Sequence, residues 1–105
     1  MTVFAITLRF GANKAKASEH MAGHKAWITQ GRADGTFLMV CSVVPGLGGF
    51  ILAQGESRNA IEALVERDPF VAENVVTAEV LEIAPHQVDD RLTFLLADTA
   101  QGASA

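Results

Sequence analysis

The stretch Thr36-Phe37-Leu38-Met39-Val40-Cys41-Ser42-Val43-Val44-Pro45-Gly46-Leu47-Gly48-Gly49-Phe50-Ile51-Leu52-Ala53-Gln54 decides the fold. Thr36 to Val44 is rich in β-branched and apolar residues and reads as a strand. Pro45 to Gly49 is turn chemistry, and Phe50 to Gln54 reads as the next strand. Strands joined this tightly form a hairpin, with no room for a crossover helix between them. On the N-terminal side, Val3 to Phe10 sets Phe4, Ile6, Leu8 and Phe10 against Val3, Ala5, Thr7 and Arg9, the period of a strand. Gly11 breaks it. Asn13 or Ser18 is then a candidate cap for a helix running to about Gln30, with Gly31 as its C-terminal stop and Asp34-Gly35 as a turn. On the C-terminal side, Ser57 caps a second helix from Arg58 to about Arg67. Asp68 can cap a further short turn with Pro69 at its first position. Val75 to Ile83 is a fourth strand, ended by Pro85.

The order β-α-β-β-α-β predicts an α+β fold of the ferredoxin-like type, a four-stranded antiparallel sheet with both helices on one face. The other face then needs a cover. Strict alternation puts Phe37, Met39, Cys41 and Val43 on one side of the second strand and Leu38, Val40 and Val44 on the other, so both sides are apolar. The first strand is also mostly apolar on both sides, whereas a sheet with one wet face alternates apolar and polar residues. Leaving such a face in water forgoes ~25 cal/mol per Å², and a symmetric homodimer is the commonest way to bury it. Beyond Pro85, Val88, Leu92, Leu95 and Leu96 have helical spacing and suggest a short arm, while Asp98 to Ala105 are small, polar and expected to fray. The expected division is a domain over residues 1–85 and an arm and tail over residues 86–105.

Composition narrows the classes of function. The chain has 105 residues, the size of one domain. Half its residues are apolar and 19% are charged, which argues against disorder. The net charge is −4 and the eight Lys and Arg are scattered, so no basic stripe suits nucleic acid. No apolar run reaches the ~18 residues of a membrane span, and Met1 to Arg9 lack the basic and apolar regions of a signal peptide. The lone Cys41 fits a reducing cytoplasm, the expected location.

The chemistry lies in His24 and in Asp68-Pro69-Phe70. On a wheel of 100° per residue, Ala17, His20, Met21, Trp27, Ile28 and Gly31 fall within about 60° of His24, so an imidazole sits in the middle of an apolar stripe. On the second helix Ala60, Ile61, Leu64 and Val65 form the stripe, and Asp68 is the next inward position. Ionisable groups on buried faces require partners. Both helices share one face of the sheet, so His24 and Asp68 are expected to meet. A carboxylate on one ring nitrogen fixes the tautomer and leaves the other nitrogen to carry a proton. Met21, Trp27 and Phe70 would wall a site for a flat, apolar substrate.

Blander readings stand beside these. His24 can be a satisfied core residue, Asp68 only a cap, and Trp27 only core packing. His20 and His24 have metal-compatible i, i+4 spacing, but Glu19, the nearest third ligand, points away, so no metal is expected. His86 falls in the tail. Gly46-Leu47-Gly48-Gly49 precedes a strand, not a helix N-terminus, and so lacks the context of a phosphate cradle. Cys41 reads as inert packing and Ser57 as a cap, with no G-x-S-x-G around it.

The element His24-Lys25-Ala26-Trp27-Ile28 resembles the H-x-x-aromatic-aliphatic signature of the YciI-like proteins. The rest of that pattern follows in order: Gly35 before an apolar strand, a Pro-Gly turn, Gly49-Phe50-Ile51-Leu52, a Ser-capped helix and Asp68-Pro69-Phe70. It spans Val3 to Pro85. The resemblance implies the dimeric α+β barrel arrangement, in which ferredoxin-like subunits pack sheet to sheet, and an active site at His24 and Asp68. A related member is a dehydrochlorinase of a chlorinated hydroxyquinone, and more distant barrel relatives isomerise muconolactone. Two departures stand out: Val44-Pro45-Gly46 replaces the Gly-Pro pair that many members carry, and the tail beyond Pro85 is unlike a typical ending. The leading expectation is a lyase or isomerase without cofactor, in which His24 shuttles a proton, Asp68 orients it, and the substrate is a small cyclic oxygenated molecule. The alternative is a non-catalytic small-molecule-binding or accessory protein using the same pocket. A haem-handling or oxygen-using relative of the barrel group is a third reading.

Overall fold

The computed structural model describes residues 1–97. Strands β1 (Thr2–Phe10), β2 (Phe37–Val43), β3 (Gly48–Gly55) and β4 (Val76–Ile83) form one antiparallel sheet in the order β2-β3-β1-β4. Helices α1 (Ala17–Ala33), α2 (Arg58–Glu66), the single-turn α3 (Pro69–Ala72) and the short α4 (Phe94–Ala97) complete the chain, with 3₁₀ turns at Lys14–Lys16 and Asp90–Leu92. This is the ferredoxin-like α+β fold. The expected fraying of Asp98 to Ala105 lies outside the described residues.

The core follows from the alternation of β1. Phe4, Ile6 and Leu8 point towards the helices and, through the registers Phe4↔Ala53, Ile6↔Ile51 and Ile6↔Val80, meet the inward residues of both neighbouring strands. Ile61 and Val65 of α2 and Phe70 of α3 pack on that layer. The opposite face is open: Met39 is 47% exposed, Val43 38% and Leu81 45%. Val3 also belongs to the open face by register, yet it is buried, as is Leu95 of α4, and neither is part of the central core cluster.

Several expectations need correction. Strict alternation along β2 fails because the register slips between Phe37↔Ala53 and Met39↔Leu52, a bulge at Leu38. One extra residue flips every later side chain, so Phe37 enters the core while Met39, Cys41 and Val43 face outward and Val40 and Ser42 lie on the helix side. β3 begins at Gly48, so Gly48 and Gly49 belong to the strand and not to the turn.

Gly31 does not stop α1. The helix continues to Ala33 and ends in a paired cap, with Thr36 N–H donating to Gly31 O (3.1 Å) and Gly35 N–H to Arg32 O (3.2 Å), as Gly35 takes φ +75°. Gly31 is instead a contact residue, because a Cβ there would lie 2.1 Å from the Phe37 ring. Neither Asn13 nor Ser18 caps α1; Lys16 occupies the N-cap without a side-chain bond, and the Asn13 amide donates to Glu73 O (2.9 Å). Ser57 does cap α2, accepting from Ala60 N–H, and Asp68 caps α3 with Pro69 at its first position.

Candidate active site

α1 lies against the sheet mainly by its C-terminal half, where Gly31 meets Phe37 and the Trp27 indole N–H donates to Leu64 O (3.0 Å) at the end of α2. Gly23 brings α1 against α3, since a Cβ there would lie 2.9 Å from Pro69 Cγ. That close approach puts His24, the next residue, beside Asp68.

His24 Nδ1 lies 2.8 Å from Asp68 Oδ1, and the Phe70 backbone N–H donates to the same oxygen (3.0 Å). With the carboxylate as acceptor, Nδ1 carries the proton and Nε2 is left without a partner among the described residues. Asp68 is fully buried, while the His24 side chain is 14% exposed, so the carboxylate touches no water and the imidazole does. Asp68 Oδ2 is buried with no hydrogen-bond partner among the described residues, so the hydrogen bonds of this carboxylate are made at Oδ1. The His24 ring stacks parallel on Phe70, centroids 4.0 Å apart and planes 4° apart, and lies 6.1 Å from Trp27. One face of the imidazole is thus held by an aromatic ring and one edge by a carboxylate.

His24 opens into a cavity of about 340 Å³ between α1 and the β2–β3–β1 part of the sheet. Met21, His24, Lys25 and Ile28 form its helical wall, at i, i+3, i+4 and i+7. Phe10 and Phe70 flank it, and Ser42 and Gly49, paired across β2 and β3, bound it where no large side chain fills the space. Of the residues expected from the sequence, Met21 and Phe70 line this cavity with His24. Trp27 does not; its ring is turned to Leu64 and edge-on to Phe37, 4.9 Å away. Lys25, Ser42 and Gly49 were not anticipated. Their roles depend on the bulge and on which side of α1 stands away from the sheet, although a lone Ser in an apolar strand opposite a Gly pair is a visible sign of unfilled space.

His20 lies 4.0 Å from Glu19, and among the described residues no group of three or more His, Cys, Asp or Glu side chains is placed to hold a metal ion. No helix among them is long and apolar enough to cross a membrane. The YCII-related domain pattern matches residues 2–84, from the first residue of β1 to just past the last of β4. This chain belongs to the YCII-related family. Among curated proteins, none matches this YCII-related chain by sequence. Among solved structures, it is similar to the 5-chloro-2-hydroxyhydroquinone dehydrochlorinase of Burkholderia phenoliruptrix in complex with 2,5-dihydroxybenzoquinone. That likeness has a TM-score of 0.67 at 18% identity, over 81% of this chain and 95% of that one. It is also similar to a Deinococcus radiodurans protein assigned to the antibiotic biosynthesis monooxygenases, with a TM-score of 0.51 at 16% identity, over 86% of this chain and 97% of that one. Likeness at such identities establishes the shared fold.

Proposed function

We propose that this YCII-related domain is a cofactor-independent lyase or isomerase acting on a small, cyclic, oxygenated organic molecule. The observation that carries the reading is the 2.8 Å His24–Asp68 hydrogen bond at the wall of a half-open cavity. His24 Nε2 takes a proton from a carbon or hydroxyl acidified by a neighbouring carbonyl, and the imidazolium so formed is stabilised by Asp68. The same nitrogen then returns the proton, to a different atom in an isomerisation or to a leaving group in an elimination. Phe70 keeps the ring in plane during both transfers. A positioned imidazole supplies roughly 10²–10⁴-fold, and orientation within the cavity supplies the remainder. The fold shared with a dehydrochlorinase supports the class of reaction.

The test is hydrogen exchange. Hydroxyquinols and ring-containing keto acids incubated with the protein in D₂O should gain deuterium at carbon, read by proton NMR, and His24→Gln should abolish the gain while keeping the fold. Exchange that persists in His24→Gln refutes the proposal. One observation favours a second reading, a non-catalytic binding or accessory protein: Asp68 Oδ1 also caps α3 through Phe70 N–H, a structural duty that explains the carboxylate without chemistry. That reading expects ligand binding without exchange.

The proposal includes a homodimer, with the open sheet face carrying Met39, Val43 and Leu81 packed against a second copy as a dimeric α+β barrel, and a cytoplasmic setting in keeping with the single thiol. Residues 86–105 are proposed as an arm appended to the domain of residues 1–85.

A further inference from the structure

The polar equipment of the cavity is unbalanced. Its wall carries the Lys25 ammonium, the His24 imidazole and the Ser42 hydroxyl and, among the described residues, no Asp or Glu. Lys25 lies on the same stripe of α1 as His24, and its ammonium has no ion-pair or hydrogen-bond partner among the described residues. A second cation stands close by, for Lys14 Nζ sits 4.8 Å above the ring of Phe10, itself a wall residue. In a chain of net charge −4, two cations stand beside this cavity, while Asp68, the carboxylate hydrogen-bonded to His24, is fully buried behind the imidazole and not in the lining. The remaining wall is apolar, and the Phe10 and Phe70 rings offer flat surfaces.

We propose that Lys25 makes the cavity selective for planar ring compounds whose acidic oxygen is ionised at neutral pH. The anionic oxygen lies at Lys25 and the ring spans the space between α1 and Ser42. The inference rests on the proposed His24 chemistry and deepens it, because His24 and Lys25 are successive residues of one wall. With Lys25 on an ionised oxygen, the ring is held in a fixed orientation relative to Nε2. The ammonium also attracts the electron density released when a ring C–H or O–H gives up its proton.

Two matched pairs of probes test charge selection by titration calorimetry on the full chain. One compares 2,5-dihydroxybenzoate with its uncharged amide. The other compares 2,5-dihydroxybenzoquinone, ionised at neutral pH, with its uncharged dimethyl ether. In at least one pair the anion should bind about tenfold tighter than its neutral partner, as a charge-assisted contact allows, and the pair that discriminates tells whether carboxylate or enolate oxygen is read. The preference should shrink in high salt, vanish in Lys25→Met and survive in Lys25→Arg. Equal affinities in both pairs, no binding in either, or a preference that persists in Lys25→Met would overturn the assignment. Deuterium exchange into the hydroxyquinol probes, followed by proton NMR in the native chain and in Lys25→Met, separates this failure from failure of the proton-transfer reading. If native exchange persists while charge selection is absent, only the Lys25 assignment falls; if the native chain gives no exchange, the proton-transfer reading falls with it.

Discussion

At the scale of single residues, Asp68 combines two tasks in one oxygen, since Oδ1 accepts from both His24 and the Phe70 backbone. Substitutions can separate them. Asp68→Asn keeps an oxygen in the same place, so the cap on α3 survives and urea denaturation should show a loss within about 1 kcal/mol. Without the negative charge, however, deuterium exchange into substrate should fall at least tenfold. Asp68→Ala removes the cap as well as the partner of His24 and should cost about 1–3 kcal/mol. Equal losses of stability in the two variants would show that the cap is not what Asp68 contributes to folding. The residue pair was legible in the sequence because ionisable groups on two apolar helix stripes are costly alone. The stack of His24 on Phe70 was not, because a ring's plane depends on the neighbours that pack against it.

At the scale of elements, the glycines of α1 act by contact. A helix-interior Gly→Ala change ordinarily stabilises by up to about 1 kcal/mol. Gly31→Ala should do the reverse, because its Cβ would fall 2.1 Å from a Phe37 ring that is fully buried and has nowhere to move. The expected cost is about 1–3 kcal/mol, read from thermal or urea unfolding. Gly23→Ala, meeting Pro69 at 2.9 Å, should push α1 from α3 and weaken the His24–Asp68 contact more than it lowers stability, read as a shift or loss of the His24 Nδ1–H resonance in proton NMR. The 3₁₀ turn Asp90–Leu92 carries a pH dependence of its own. The Arg91 side chain, and then the Arg91 N–H, hold the Asp89 carboxyl below its ordinary value of 3.8. A depressed carboxyl stabilises the turn above that value and loses it as pH falls through the lower, folded value. The Arg91 amide should therefore keep its protection, the exchange rate relative to an unstructured peptide at the same pH, through mildly acidic pH and lose it only below the ordinary carboxylate range.

At the scale of the whole molecule, the sheet is apolar on two faces and has helices on one. If the open face packs against a second copy, Leu81→Glu, a charge on a residue already 45% exposed in the single chain, should convert a dimer to monomer in light scattering without unfolding it. A native chain that is monomeric at micromolar concentration would remove the dimeric arrangement.

What the sequence determined by itself was the order of elements, the sharing of one sheet face by both helices, and the meeting of His24 with Asp68. These depend on period, on turn and cap residues and on the cost of burying charge, all of which act locally or along one strand or helix. Tertiary structure alone decided the rest. The bulge at Leu38 set which residues of β2 reach the helix side, Gly31 served as a close contact for Phe37 within α1 while the helix ran on to its cap at Gly35, and Trp27 turned to a carbonyl on α2. The cavity, with Lys25 and Ser42 in its wall, is the space left between elements once each has found its partners. Empty space has no residue of its own, so no pattern along the chain encodes it directly.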